Sequence, residues 1–211
     1  ECGRRPALVT VVAASGSTPG KVGYRVLVGE EGRIAGTVGG GMVEAQVADE
    51  ARRMLDEPAS RLVRFKLGGT ADDEKGICGG TVELLIETFD ETALPLFREI
   101  GGAAEGGVLV SIIAPTARPQ KRYLENLAAV EAAGAQLPPE IVTAMRETAV
   151  PGRDAMRLSA GEMDVFIEPL ATQPTVVLFG AGHLSWHIAP CARMVHFRIV
   201  VCDERAEYAN R

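Results

Sequence analysis

The sequence predicts an α/β protein with a mixed α/β domain at residues 1–170, followed by the start of a Rossmann-like βαβ domain at 171–211. Three observations predict this. Short apolar, β-branched runs separated by turn residues fill the first ninety positions, with one amphipathic helix among them. A strand, a glycine turn, a helical stretch and a second strand ending at Asp203 follow from Thr175 onward. A glycine doublet followed by x-Val-Glu occurs twice, in Gly36–Glu44 (Gly-Thr-Val-Gly-Gly-Gly-Met-Val-Glu) and in Gly76–Glu83 (Gly-Ile-Cys-Gly-Gly-Thr-Val-Glu).

Ala7–Ala14 is apolar and reads as a buried strand, broken by the turn chemistry of Ser15-Gly16-Ser17-Thr18-Pro19-Gly20. Tyr24–Val28 and Arg33–Val38 read as strands joined by a hairpin-type turn at Glu30-Glu31-Gly32. Met42–Leu55 places Val43, Val47, Ala51, Met54 and Leu55 at helical spacing, with acidic residues early and Arg52 and Arg53 late; Pro58 ends it. Arg61–Leu67 and Thr81–Phe89 are further strands around a polar loop, Gly68–Gly76. Beyond Thr92 the pattern predicts a helix at Leu94–Ile100, a strand at Gly107–Ala114, and helices at Lys121–Ala133 and Pro139–Arg146. Met163–Pro169 (Met-Asp-Val-Phe-Ile-Glu-Pro) echoes Val82–Thr88 (Val-Glu-Leu-Leu-Ile-Glu-Thr), a hint of a repeated strand. After the connection at Ala171–Pro174 come a strand at Thr175–Phe179, a helix to about Met194, and a strand at Phe197–Cys202. A single βαβ unit leaves sheet edges uncovered, so the sequence predicts a truncated domain or one completed by another chain, with a homodimer as the expected assembly.

With 46% hydrophobic and 24% charged residues, the chain can bury a core. A net charge of −6 without a basic run argues against a nucleic-acid surface. The longest apolar runs are of strand length, too short to span a bilayer. Cys2, Cys78, Cys191 and Cys202 form no C-x-x-C pair and no disulfide framework; with no visible export signal, a cytoplasmic location is expected.

The first candidate site lies in the two glycine segments. Glycines let backbone N–H groups approach a ligand and adopt positive φ, and successive N–H groups make an anion-binding concavity. Gly39, Gly40 and Gly41 lead into a helix, where the dipole favours an anion; the alternative is a tight strand-to-helix turn. Glu44 either orients a ligand or sits favourably in a first helical turn. Cys78, Gly79, Gly80 and Glu83 form the second segment. The Cys78 thiol is either a small buried hydrophobe or, beside oriented N–H groups, an activated sulfur suited to soft metals. Ser15 and Ser17 offer hydroxyls one hairpin away.

The second candidate site is the Gly180-x-Gly182 turn with His183 and, closing the next strand, Asp203, a residue placed for ribose hydroxyls. Ser185 stands where Gly or Ala usually permits close helix–strand packing. A scaffold without a cofactor is the alternative. His183 and His187 are four apart, a spacing compatible with a shared metal, but no third ligand accompanies them. No order of Ser, His and Asp, or of Cys and His, points to a hydrolase.

Taken together, Val9–Ser17 with Pro19, Gly36–Glu44 and Gly76–Glu87 resemble the XdhC/CoxI family, whose members carry Gly-Ser-x-Pro, Gly-Thr-(Ile/Val)-Gly-Gly-Gly…Glu and Ile-Cys-Gly-Gly-x-Val-(Asp/Glu) in that order. Phe166–Pro169, Phe179–His183 and Asp203–Arg205 resemble the family's second half; Thr92–Arg157 matches only loosely. The resemblance implies an accessory protein of molybdenum hydroxylases such as xanthine dehydrogenase, a cofactor-binding chaperone rather than an enzyme. It would bind the molybdenum cofactor (Mo-molybdopterin), support its sulfuration by a cysteine desulfurase, and hand it to the apo-enzyme. Ser15, Ser17, Gly39–Gly41, Glu44, Cys78–Gly80 and Glu83 are then the cofactor-binding candidates, with Cys78 as a molybdenum contact. Gly180, Gly182, His183 and Asp203 remain candidates for NAD(P). An NAD-dependent oxidoreductase on the C-terminal half is the competing reading.

Overall fold

The computed structural model describes residues 5–67, 79–103, 106–114, 116–135, 137–150, 153–170, 174–195 and 197–208. The chain divides into two compact units, Glu1–Leu170 and Ala171–Arg211.

The first unit runs β1 (Ala7–Ser15), β2 (Arg25–Gly29), β3 (Gly32–Gly36), α1 (Gly41–Arg52), β4 (Ser60–Leu67), β5 (Gly80–Thr88) and α2 (Leu94–Gly102). It continues β6 (Gly107–Ala114), β7 (Gln120–Leu124), α3 (Leu127–Gly134), α4 (Pro139–Thr148), β8 (Met156–Ala160) and β9 (Met163–Leu170). Among the described residues these strands form two antiparallel sheets, β3-β2-β1-β5-β4 and β7-β6-β9-β8.

Strand alternation decides the layering. In the first sheet Val9, Val11, Val82, Leu84 and Ile86 pack with Val43, Val47, Ala48 and Ala51 of α1. In the second, Val108, Val110, Val165 and Ile167 pack with Val130 of α3 and Ile141, Ala144 and Met145 of α4. The intervening residues face the other way, and Val12, Leu85, Ile113 and Phe166 meet in a third cluster drawn from both sheets. The order is therefore helix, sheet, sheet, helix. Central strands buried on both faces explain their near-continuous apolar character. Each fully buried aliphatic or aromatic side chain contributes about 1.5–3 kcal/mol.

Two elements depart from the sequence reading. The helix expected at 121–133 is strand β7 followed by α3, which Asn126 caps by accepting the Ala129 N–H at 2.9 Å. The charged run Gln-Lys-Arg-Tyr-Leu looks helical or exposed because the period-2 signal is hidden by Lys121, which is buried against Glu87 and Ser111. Tertiary pairing thus overrides composition. Strand β8, not anticipated, is only five residues long, alternates apolar and polar side chains (Met-Arg-Leu-Ser-Ala), and pairs along β9.

The second unit is β10 (Thr175–Phe179), α5 (His183–Met194) and β11 (Arg198–Cys202), the two strands parallel in register from Thr175↔Arg198 to Phe179↔Cys202. No helix among the described residues is long and apolar enough to cross a membrane.

Candidate functional site

Three sequence-distant segments converge at one end of the first sheet. β1 ends opposite the start of β5, with Ser15 paired to Thr81. That register brings the Ser15–Gly20 turn against Gly79 and Gly80. A Cβ on Gly16 would stand 3.0 Å from the Gly79 carbonyl oxygen, and one on Gly80 would stand 2.5 Å from the Ser17 carbonyl oxygen. The third segment meets the other end of the same turn: a Cβ on Gly39 would lie 2.6 Å from the Gly20 nitrogen. Glycine at 39 and 80 is thus required by close backbone approach, and Gly39 also takes φ 121°. Gly40, Gly41 and Gly79 border open space instead. Ser15 and Ser17 are exposed beside them.

Glu44 organises the loop before α1. Its Oε2 accepts from the Thr37 hydroxyl at 2.7 Å, the Gly40 N–H at 3.2 Å and the Val38 N–H at 3.3 Å. The Gly39 N–H donates to Thr37 Oγ1 at 3.1 Å. Arg33 Nε stands 3.6 Å from Glu44 Oε1. The Thr37 hydroxyl above all, then the two N–H groups and Arg33, hold this carboxyl below the ordinary carboxylate range. The anion seated in the glycine concavity is therefore the chain's own carboxylate. This resembles a capping box, in which a first-turn Glu reaches back to the cap N–H. The first-turn N–H groups of Gly41 and Met42 have no acceptor inside the helix.

Glu83 is placed differently. It pairs with Arg64 of β4, whose Nε donates at 2.6 Å, and with Arg157 of β8, which Asp164 of β9 also holds. Its carboxylate joins the two sheets, so the repeated Val-Glu has two different uses. Cys78 lies outside the described residues, as does His196.

In the second unit Gly180 has φ 95° and donates its N–H to the Cys202 carbonyl at 2.7 Å. Gly182 is the N-cap of α5 and His183 its first residue. Asp203 accepts the Ala181 N–H at 2.7 Å and the Arg205 N–H and guanidinium at 2.9–3.1 Å. Arg205 first, then Ala181, hold its carboxyl well below the usual range. The acceptor expected to meet a ribose is thus already occupied by the turn itself and by Arg205. Ser185 donates to the Gly180 carbonyl, so its hydroxyl is accommodated within the turn. The His183 and His187 rings stand edge to face at 4.5 Å between centroids. No group of three or more His, Cys, Asp or Glu suited to a metal occurs among the described residues.

Sequence reasoning missed Arg33, Thr37 and Gly20 at the first site; the signal available was their place one turn from the glycines. It also missed a charged cluster between the two sheets. Lys121 Nζ lies 2.7 Å from Glu87 and donates to Ser111 Oγ at 2.6 Å, and Arg25 pairs with Glu168. Burial pushes the Glu87 carboxyl up and the Lys121 and Arg25 cations down.

Comparison with known proteins adds a family likeness over the first part of the chain. Residues 1–66 match the model of the XdhC and CoxI family. The match contains Ser15–Pro19 and the Gly36–Glu44 loop, and it bears out the resemblance read from the sequence. The molybdenum cofactor insertion chaperone PaoD of Escherichia coli is 35% identical over 44% of this chain and 29% of its own length. A probable xanthine dehydrogenase subunit from Bacillus subtilis is 24% identical over 96% of this chain and 61% of its own. The crystal structure of a xanthine dehydrogenase from Bacillus halodurans has the same fold, with a TM-score of 0.72 and 17% identity, covering 97% of this chain and 60% of that one. This chain therefore spans less than two thirds of each of these proteins.

Proposed function

We propose that this chain is an accessory protein of molybdenum enzymes that holds the molybdenum cofactor at the Gly36–Glu44 loop. The observation that carries the reading is the convergence of Ser15–Gly20, Val38–Gly41 and Gly79–Gly80, with Gly40, Gly41 and Gly79 opening outward. The likeness to the insertion chaperone PaoD supports the same role.

The residues present suit the group. Its phosphate would be met by the N–H groups of Gly41 and Met42 and by exposed Arg33; its polar pterin by Ser15, Ser17 and the outer oxygen of Glu44. Cys78, next to Gly79 in sequence, would offer a soft sulfur. The cofactor itself supplies the oxo-transfer and redox chemistry of the enzyme that finally receives it. This chain's residues would bind and orient it. Support for sulfuration by a cysteine desulfurase, delivery to a hydroxylase apo-enzyme and homodimerisation are further parts of the proposal. Among the described residues Asp203 is bonded to Ala181 and Arg205, which favours this role over an oxidoreductase at the Gly180 turn.

The test is co-purification from molybdate-grown cells, followed by oxidation of any bound pterin to its fluorescent form. Pterin in near-stoichiometric amount is expected, and micromolar nicotinamide binding without pterin would refute the reading. Cys78→Ser separates roles: unchanged melting with weaker pterin retention, roughly tenfold for each 1.4 kcal/mol lost, is the expected result. A destabilised variant that retains pterin normally removes Cys78 from the site.

A further inference from the structure

We infer that residues 7–170 are an internal duplication, two copies of one ββαββ unit packed about a pseudo-two-fold axis and locked in register by two exchanged ion pairs, of whose four side chains all but Arg25 are buried. The first copy is β1, β2, α1, β4 and β5, with β3 as an added edge. The second is β6, β7, α3–α4, β8 and β9. Strand order matches element for element, β2-β1-β5-β4 against β7-β6-β9-β8, all antiparallel.

Register turns this likeness into residue correspondences. Thr10 lies opposite both Arg25 and Leu85, and Ser111 opposite both Lys121 and Phe166. Leu8 faces Glu87 as Leu109 faces Glu168. The pairing slips between Val11 and Ala13 in one copy and between Ile112 and Ala114 in the other, the same place in each. Arg25 therefore corresponds to Lys121, Glu87 to Glu168, and Thr10 to Ser111. The sequence echo of Val82–Thr88 in Met163–Pro169 gives the same alignment independently.

The contacts are then reciprocal, as a two-fold relation requires of any pair of residues i and j. Arg25 of the first copy pairs with Glu168 of the second, and Lys121 of the second with Glu87 of the first. Val12 and Leu85 meet their counterparts Ile113 and Phe166 in one cluster. β1 touches β8, and β6 touches β4. Tandem copies packed in some other way would not give each contact twice with the partners exchanged.

This arrangement gives the charges a task. The side chains of Glu87, Lys121 and Glu168 are 0, 2 and 5% exposed, and that of Arg25 is 33% exposed. Buried charges are tolerated only when paired, and removing one partner is strongly destabilising. The exchanged pairs accordingly admit one face-to-face orientation of the two sheets and penalise others. The copies have diverged where the candidate site lies. The glycine loop precedes α1 only; its counterpart before α3 is Glu125-Asn126, an ordinary capped start.

The test uses the whole 211-residue chain and reads thermal melting. Lys121→Met alone should lower Tm by about 10 °C. Adding Glu87→Leu, the partner across the axis, should recover most of that loss. Adding Glu168→Leu, from the same copy as Lys121, should recover less, because it leaves Glu87 with Arg25 alone, a cation that acts on it without the direct contact Lys121 makes. Should Lys121→Met not fold, the rescue is read as the return of a cooperative melt with Glu87→Leu. The milder exchange Arg25→Lys with Lys121→Arg should melt cooperatively near wild type, since both positions already hold a cation facing a carboxylate. Rescue by Glu168→Leu instead, rescue by neither, an unaltered Tm in Lys121→Met, or collapse of the Arg/Lys exchange would each overturn the lock.

Discussion

Replacing Glu44 by Gln keeps the shape of the side chain and removes the charge that gathers Thr37, Val38 and Gly40. Since those donors depress its pKa in the folded state, its contribution is complete above the unfolded value of about 4.5 and is lost as pH falls through the lower folded value. The wild type should therefore lose stability on acidification in a window that Glu44→Gln lacks. At neutral pH the variant should be less stable by about 1 kcal/mol, a modest cap-sized effect given solvent screening. Urea titrations of both proteins between pH 7 and 3 check this, and parallel pH curves would refute it. The glycines and Glu44 were legible in the sequence because unusual backbone conformations select unusual residues. Glu83 was not, because an identical Val-Glu on β5 meets Arg157, a partner more than seventy positions away. Asp203 was legible by position, but its occupancy by Ala181 and Arg205 was not.

At the scale of elements, adjoining glycines should behave in opposite ways. Gly80 begins β5 with the Ser15–Thr18 turn against it, so Gly80→Ala forces backbone apart and should cost about 1–3 kcal/mol. Gly79→Ala meets nothing within 4 Å and should leave melting unchanged. Calorimetry on the two variants reads the difference, and equal Tm values would contradict the close approach. If Gly79→Ala also weakens pterin retention, the loss belongs to the open face of the site and not to folding. Elements with an uninterrupted apolar period, β1, β5, β6 and α1, were readable because burial on one or both faces wrote the pattern. β7 was hidden for the opposite reason: Lys121 points inward to a carboxylate, so its strand looks polar. β8 alternates apolar and polar residues over only five positions, too short a run for its period to stand out.

The two units of the whole molecule differ in how much they bury. All three apolar clusters belong to residues 7–167. In the second unit Phe179, Leu184, Trp186 and Met194 are exposed, at 68–86%, and no described residue from Pro174 to Tyr208 is fully buried. A forty-residue segment without a core cannot offset the entropy of ordering about forty residues, each of which costs about 1–2 kcal/mol of backbone freedom. Residues 171–211 made as a separate peptide should therefore be unfolded at 25 °C, with no cooperative melt by circular dichroism. Residues 1–170 made alone should melt cooperatively close to the main transition of the whole chain, because their three apolar clusters are built from residues of that unit. A cooperative melt in the peptide would contradict the first expectation. A fall of Tm by more than about 5 °C in 1–170, a loss of roughly 1–2 kcal/mol for a chain of this size, would contradict the second and would mean that the second unit contributes to the stability of the first.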